Sequence, residues 1–204
     1  PESPDLAPGT LLEGGEAHVY LVDSHPRFVA KTARVGTETA RARLHREWAI
    51  LSLLGRDLPE SLPRVRRWVD ATPDHHATLI LHRFHGVPVR EAAIGQSLFR
   101  IVRWGAVAAR ALNEVHRRGI LHRDVSPSNL LIRLAGRAED DMACLIDFGL
   151  ARAFTAEARE RLPSADAAKP LTLTGDALGT YGYMAPEQAR GESTVGPRAG
   201  VWSL

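Results

Sequence analysis

The spacing of apolar residues divides the chain into a first part of short strands and a later part dominated by helices. Runs of strand-forming residues predict strands at Leu11-Leu12, His18–Val22, Phe28–Lys31, Val65–Val69 and Thr78–His82. A helix is predicted over residues 37–54, because Leu44, Trp48 and Leu51 recur at i, i+4 and i+7. Turns are predicted at residues 13–16 and at Thr72-Pro73-Asp74.

Helical spacing takes over after Gly86. Residues 97–118 predict one long helix, whose apolar stripe comprises Leu98, Ile101, Val102, Ala108, Leu112 and Val115. Short apolar pieces follow at Ile120-Leu121, Leu130–Ile132 and Cys144–Ile146, and residues 151–182 are expected to form a long irregular stretch.

The order of these elements predicts the fold class and the division into lobes. Strands followed by helices indicate an α+β fold with two lobes and a cleft between them. Residues 1–85 would form a small β-rich lobe with one main helix, and residues 86–204 part of a helical lobe. Residues 86–90 are the predicted hinge.

Composition narrows the class of protein. With 204 residues, 44% hydrophobic and 25% charged, the chain is neither disordered nor fibrous. No apolar run approaches the roughly 18 residues of a membrane span. The first ten residues have no basic or apolar region typical of a signal peptide. A single cysteine, Cys144, fits the reducing cytoplasm, so we expect a cytoplasmic protein without a membrane segment.

The positive charge of the chain is almost entirely arginine. There are 24 Arg and two Lys among 26 basic residues, against 24 acidic residues, which leaves a net charge of +2. The densest basic stretches are residues 64–67 and 117–118. Because a nucleic-acid binder usually concentrates its charge on one face or tail, we interpret the arginines as solvated surface charge and expect no nucleic-acid partner.

Two acidic motifs carry the candidate chemistry. Asp124 and Asn129 lie five residues apart in a polar loop between apolar segments, and Asp147 follows the apolar run ending at Ile146. A carboxylate can orient a hydroxyl nucleophile, and carboxylate or amide oxygens can bind a metal ion. Taken alone, the first motif is equally typical of a turn held by Asn or Asp side chains.

Together with three further motifs, this order resembles the protein kinase catalytic domain, and more closely that of bacterial serine/threonine kinases. The motifs are Phe28-Val29-Ala30-Lys31, the helix residue Glu47, His122-Arg123-Asp124 with Asn129, Asp147-Phe148-Gly149 and Ala185-Pro186-Glu187. The resemblance runs from about residue 9 to the last residue. It implies ATP and Mg²⁺ as cofactors, phosphoryl transfer to Ser/Thr hydroxyls of a protein substrate, and an activation segment over residues 147–187.

The resemblance also implies a role for each matching residue. Lys31 would hold the ATP phosphates and Glu47 would pair with Lys31. Asp124 would be the catalytic base and Thr180 would face it, while Asn129 and Asp147 would hold Mg²⁺. Arg123 would pair with a phosphorylated residue. The adenine and phosphate site would be lined by Leu12, Gly14, Gly15, Val19, Val29, Lys31, Leu81, His82, Phe84 and Leu131. Candidate phosphorylation sites are Thr155, Ser164, Thr172 and Thr174, in a segment whose residues 155–172 are expected to be mobile.

The pairing of Glu47 has support that does not depend on the resemblance. Glu47 lies three residues after Leu44 and four before Leu51, on the apolar side of the predicted helix. A buried carboxylate needs a cation, for which Lys31 is the obvious candidate. The alternative is a Glu at the helix edge that reaches water.

The chain departs from the family pattern at four places. Where the family has three glycines, this chain has Leu12, Gly14 and Ala17, so only the middle glycine remains. Ser126 stands in place of a lysine, and Gly200 stands in place of an aspartate. The sequence ends at Leu204, where the family continues into further helices, so we expect a further segment or a partner chain to cover an apolar face. These departures leave open a non-catalytic kinase-like regulatory module. A small-molecule kinase is disfavoured by Ala185-Pro186-Glu187.

Overall fold

The structure is a computed structural model that describes residues 8–14, 17–33, 38–55, 57–72, 76–162, 179–192 and 194–204. Its first half is an antiparallel sheet of five strands in the order β1-β2-β3-β5-β4. The strands are β1 Pro8–Gly14, β2 Ala17–Val22, β3 Phe28–Ala33, β4 Val65–Val69 and β5 Thr78–His82. Helix α1, Glu38–Leu54, connects β3 to β4.

The second half is mainly helical, with two small antiparallel sheets. Strands β6, β8 and β9 form one sheet and β7 pairs with β10 in the other. These strands are β6 Val87–Pro88, β7 Ile120–Leu121, β8 Leu130–Arg133, β9 Met142–Leu145 and β10 Arg152–Ala153. The helices are α2 Val89–Ala92, α3 Leu98–Arg117, α4 Ala156–Glu160, α5 Pro186–Ala189 and α6 Pro197–Trp202, with a 3₁₀ turn at Ala138–Asp140. The predicted α+β class is confirmed.

One hydrophobic core connects the five-stranded sheet to the helical half. It contains Leu44 and Leu51 of α1 and Leu79 of β5, all almost completely buried. It continues through Leu112 of α3 to Phe148 in the loop after β9. This shared core fixes the position of α1 relative to the loops that follow β7 and β9.

The register of the five-stranded sheet sorts its side chains onto two faces. Lys31 lies opposite Val19 on β2 and Leu79 on β5, and Val29 lies opposite Leu81. Because neighbouring positions along a strand point to opposite faces, the side chains of these five residues share one face of the sheet. Four of the predicted site residues, Val19, Val29, Lys31 and Leu81, are therefore brought together by strand pairing alone.

The long helix α3 begins and ends within one residue of the prediction, but part of its predicted apolar stripe was wrong. Leu98 and Val102 are 75% and 61% exposed, whereas Trp104 is buried. A helix advances about 100° per residue, so Leu98 and Val102 lie to one side of the row that runs from Ile101 through Trp104 to Val115. The row that contains Trp104, Ala108, Leu112 and Val115 faces the core, and Leu98 and Val102 lie outside it.

The stretch over residues 151–182 was predicted to be irregular, and this too needs correction. Residues 152–153 form β10 and Ala156–Glu160 form α4, which the Thr155 hydroxyl caps by accepting a hydrogen bond from Ala158 N at 3.2 Å. The expected mobility of residues 155–172 stays a prediction. Ser164, Thr172 and Thr174, like Gly15, Pro73 and Asp74, lie outside the described residues.

Within the described ranges, no helix is both long enough and apolar enough to cross a membrane. The single cysteine, Cys144 on β9, is 2% exposed, and burial raises the pKa of its thiol to about 12.

Candidate active site

A buried ion pair between the sheet and α1 forms the first part of the site. Lys31 Nζ on β3 lies 2.7 Å from Glu47 Oε2 and 3.1 Å from Asp147 Oδ1. Glu47 also accepts a hydrogen bond from Phe148 N at 3.4 Å. The Glu47 side chain is 2% exposed. The predicted alternative, a Glu that reaches water at the helix edge, is therefore wrong.

The charges of this cluster determine its protonation. Burial alone would lower the pKa of Lys31, but the carboxylates of Glu47 and Asp147 raise it well above its ordinary value. Burial would raise the pKa of Asp147, and the Lys31 ammonium more than offsets this, so its pKa is lowered. Lys31 is therefore a cation and Asp147 a carboxylate at neutral pH.

The loop between β7 and β8 forms the second part of the site around the carboxylate of Asp124. Asn129 Nδ2 donates to Asp124 Oδ2 at 2.8 Å and to the Asp124 carbonyl at 2.9 Å. Thr180 donates twice to Asp124 Oδ1, from its backbone N at 2.7 Å and its hydroxyl at 2.8 Å. Three predicted site residues thus meet at one carboxylate, although Thr180 is 56 residues away in sequence.

His122 joins the two acidic loops, and the sequence analysis did not include it among the site residues. Its Nε2 donates to the Ile146 carbonyl at 3.1 Å, and its Nδ1 accepts from Asp124 N at 3.3 Å. Its ring meets Phe148 edge-on at 4.5 Å. Burial lowers the pKa of His122, which keeps the ring neutral and able to accept at Nδ1. The sequence signal that could have identified His122 as a site residue was its position directly before Arg123-Asp124.

Backbone conformation at the site is strained at two residues. Arg123 and Asp147 have φ angles of 71° and 65°, the only positive values among the described residues other than glycine. Such conformations cost about 1–3 kcal/mol each and persist where the surroundings enforce them. Here the enforcing contacts are those of His122 to Asp124 N and Ile146 O.

Gln188 on α5 is a second residue that the sequence analysis missed. It is buried, and its Nε2 donates to the Arg123 carbonyl at 2.9 Å. Gly179 approaches the same carbonyl so closely that a Cβ there would lie 3.0 Å from the oxygen, and its φ is 125°. The segment that carries Thr180 therefore contacts the loop of Asp124 on both sides of Thr180, at Gly179 and at Gln188.

Arg123 itself points into a region of positive charge. Its Nε is buried and has no hydrogen-bond acceptor among the described residues. Burial lowers the pKa of Arg123, and the charges of Arg152 and Arg46 lower it further. An anion placed there would meet several guanidinium groups at once.

The predicted adenine-site residues lie on several different elements. Leu81 is buried on the lysine face of the sheet, whereas His82 directs its ring to the opposite face, against Phe28. The backbone N of Phe84 donates no hydrogen bond within the described part of the chain.

Leu131 lies on β8, two residues after Asn129. Leu12 and Gly14 lie on β1 and Gly15 lies outside the described residues.

The family departures at Ser126 and Gly200 have local structural accounts. Ser126 is buried and its hydroxyl contacts the Ser128 hydroxyl at 3.1 Å, so it adds no charge to the site. At Gly200 on α6, a Cβ would lie 2.9 Å from Leu112 Cδ2 on α3. Glycine there lets α6 pack closely against α3.

Comparison with known proteins places this arrangement in a family. A family profile described as "Protein kinase domain" matches residues 13–204. Serine/threonine-protein kinase AfsK of Streptomyces griseus is 31% identical over 205 residues, covering 96% of this chain and 22% of that protein. Serine/threonine-protein kinase PknB of Mycolicibacterium smegmatis is 41% identical over 99 residues, 48% of this chain and 13% of PknB. PknD of Mycobacterium tuberculosis is 42% identical over 97 residues, 47% of this chain and 12% of PknD.

The sheet-and-helix fold, with its lysine–glutamate pair and two acidic loops, is of the protein kinase type. The chain belongs to the protein kinase domain family, and within it to the bacterial serine/threonine type. It spans less than a quarter of the length of each relative named here.

Proposed function

We propose that this chain carries the catalytic site of an ATP- and Mg²⁺-dependent protein serine/threonine kinase. The observation that carries the proposal is the position of Lys31 Nζ between Glu47 and Asp147, at 2.7 and 3.1 Å. This is the arrangement that phosphoryl transfer in protein kinases requires. The names of the three relatives supply serine and threonine hydroxyls as the acceptor class.

The residues present fit a nucleotide with bound Mg²⁺. The Asp147 side chain is 44% exposed, and its Oδ2 has no hydrogen bond from the described residues. Within the described ranges, the Asn129 side chain forms hydrogen bonds only through its amide nitrogen, which leaves Oδ1 available. These are the hard oxygen donors that Mg²⁺ prefers, and a bound Mg²⁺ would supply charge neutralisation at the transferred phosphate. The free N–H of Phe84 and the apolar side chains of Val29 and Leu81 would hold the adenine.

Asp124 would orient the acceptor hydroxyl. A carboxylate offers about four lone-pair sites, and Thr180 and Asn129 occupy three of them. The remaining site on Oδ2 can accept the hydrogen bond of a substrate Ser or Thr hydroxyl. As the hydroxyl oxygen bonds to the γ-phosphorus and the bond to the β-phosphate oxygen breaks, Asp124 receives the hydroxyl proton.

Arg123 would respond to phosphorylation of the activation segment. Its buried Nε, the neighbouring charges of Arg46 and Arg152, and the contact of its carbonyl with Gln188 support this role. A phosphate there would offset the repulsion between guanidinium groups and order the segment that carries Thr180. Of the candidate phosphorylation sites, Thr155 is disfavoured because its hydroxyl caps α4.

The non-catalytic alternative gains no support from the site. The lysine, its glutamate and all three acidic-loop residues are in place, and Asp124, Asn129 and Asp147 have the contacts described above. The cytoplasmic location expected from the single cysteine remains a prediction.

The test is phosphoryl transfer from γ-labelled ATP to a Ser/Thr peptide library. Asp124→Asn should abolish transfer while keeping a Mg²⁺- and ATP-dependent rise in melting temperature, and Asp147→Asn should lose both. Asp140→Asn, an exposed position on the 3₁₀ turn, is the matched control and should behave as the parent protein. A thermal shift without transfer in the parent chain would favour the regulatory module.

A further inference from the structure

Three adjacent strands bring exposed arginines together at one end of the five-stranded sheet, where β3 and β4 begin and β5 ends. His82 N donates to the Arg64 carbonyl at 2.9 Å, and Arg83 N donates to the Arg27 carbonyl at 2.8 Å. Arg27 and Arg64 therefore flank the end of β5. At the usual strand spacing they are roughly 10 Å apart.

A β-bulge and an aromatic pair complete this surface. The pairing of β4 with β5 passes from Val65 directly to Arg67, so Arg66 is the extra residue. Bulges redirect side chains, and the Arg66 guanidinium lies 5.8 Å from the centre of the Phe28 ring. Phe28 in turn meets the His82 ring edge-on at 5.1 Å. We call Arg27, Phe28, Arg64, Arg66 and His82 the basic face.

The arginines of the basic face have no carboxylate partner among the residues that the structure describes. All three are exposed, and none takes part in an ion pair within the described ranges. Arg118 and Arg190, by contrast, pair with the nearby carboxylates of Glu114 and Glu192. Burial lowers the pKa of His82, and the charges of Arg64, Arg66 and Arg27 lower it further. The positive charges of the three guanidinium groups therefore all act on the region around the His82 ring.

We propose that the basic face is a docking surface for an acidic, extended segment of a partner protein. Guanidinium groups bind carboxylates with two parallel hydrogen bonds. Arg64 Nη2 donates to the Leu58 carbonyl at 2.8 Å, which leaves the other N–H groups of Arg64 for a carboxylate. Arg27 and Arg66 form no side-chain hydrogen bond with a described residue. Alternate side chains of an extended peptide lie about 7 Å apart. Two or three carboxylates of such a segment can therefore span the roughly 10 Å between Arg27 and Arg64, above the Phe28 ring.

The size and position of the surface favour a peptide over other anions. Nucleic acid is usually bound by a long basic stripe, and a membrane surface by a larger cluster of basic residues than the three arginines here. Phe28 and His82 lie on the face opposite to Val29 and Lys31. Binding at the basic face is therefore independent of the proposed phosphoryl transfer and can be measured without it.

The test is fluorescence anisotropy of a labelled ten-residue peptide of alternating Glu and Ser, with Gln-Ser as the uncharged probe. Arg27→Gln/Arg66→Gln removes two charges and no side-chain hydrogen bond of the described structure, and should weaken Glu-Ser binding about fivefold to tenfold. Arg110→Gln/Arg117→Gln on α3 makes the same charge change at exposed positions and should leave binding unchanged. Melting temperatures check that both variants are folded.

Each outcome decides the proposal. A selective loss of Glu-Ser binding in the Arg27/Arg66 variant, with the α3 variant unaffected, supports it. Equal weakening in both variants would show only an effect of net charge and would overturn it. Tighter binding of a duplex DNA or of phosphatidylserine vesicles through the same two arginines would also overturn it, in favour of those partners. A parent protein that does not bind the peptide would overturn the proposal as well. The arginines would then be explained by protection of the edge strand β4 from pairing with strands of other chains.

Discussion

At the scale of single residues, the most consequential contact is the ion pair of Lys31 with Glu47. Replacing Lys31 by Met should abolish phosphoryl transfer and lower the free energy of unfolding by about 3 kcal/mol, because the buried carboxyl of Glu47 would lose its cationic partner. Urea unfolding measures the second effect. The double variant Lys31→Met/Glu47→Leu should recover most of the stability and none of the activity. Equal stability of Lys31→Met and the parent protein would show that the pair is dispensable for folding.

His122 gives a prediction that depends on pH. Its pKa is lower in the folded chain than the ordinary value of about 6.5, because burial disfavours the charged ring. Its neutral form is favoured by folding, so its contribution to stability is complete above that value and is lost as the pH falls below it. As the pH falls below 6.5, the parent protein should therefore lose more stability than His122→Gln does. Parallel urea titrations that show the same loss in both proteins would contradict this.

The residue scale also shows how far the sequence could predict the site. Lys31, Asp124 and Asp147 were identifiable because each belongs to a short motif with defined spacing. Gln188 was not, because its hydrogen bond reaches the Arg123 carbonyl across 65 residues, and no local pattern records that distance. The positive φ angles of Arg123 and Asp147 arise from surrounding contacts and were equally inaccessible.

At the scale of elements, a buried carboxylate clamps α3 to the hairpin of β8 and β9. Asp141 accepts two hydrogen bonds from the Arg100 guanidinium at 2.6 Å each, one from Trp104 Nε1 at 2.8 Å and one from Ala135 N at 2.8 Å. Its side chain is 1% exposed, and these donors, Arg100 foremost, lower its pKa. Asn129 and Asp147 stand at the other end of the same hairpin.

Asp141→Asn should therefore lower the free energy of unfolding by about 3 kcal/mol at pH 7, since Arg100 and the hairpin lose a charged acceptor. The folded pKa of Asp141 lies below its unfolded value, so its contribution is present above about pH 4 and disappears on acidification below it. Denaturant titration at pH 7 and pH 3 measures both effects. Glu192→Gln, which removes an exposed pair with Arg190, should change stability by less than about 0.5 kcal/mol.

Elements differed in how well the sequence predicted them. Strands β4 and β5 match the prediction at both ends, because Val, Trp, Thr and Ile favour strands and a turn-like segment separates the two runs. The five-residue helix α4 was missed, because its stability comes from the Thr155 cap and the burial of Ala158 against the core. A short polar sequence contains too little periodicity to predict such a helix.

At the scale of the whole molecule, the continuous core predicts a single unfolding transition. Trp48 and Trp68 stack at 5.5 Å beside the sheet, whereas Trp104 is buried against the β6-β8-β9 sheet. In a Trp104→Phe/Trp202→Phe variant, fluorescence reports only on the sheet half and circular dichroism on all helices. The two melting curves should coincide, because Leu44, Leu79 and Leu112 share one core. Two separated midpoints would show that the halves unfold independently.

The burial of Cys144 has a practical consequence. Its thiolate is the reactive form, and a pKa of about 12 together with 2% exposure makes the folded chain inert to thiol-directed alkylating dyes at neutral pH. The sequence has no other cysteine. Each attached dye molecule therefore reports one opening or unfolding event that exposed Cys144 on β9.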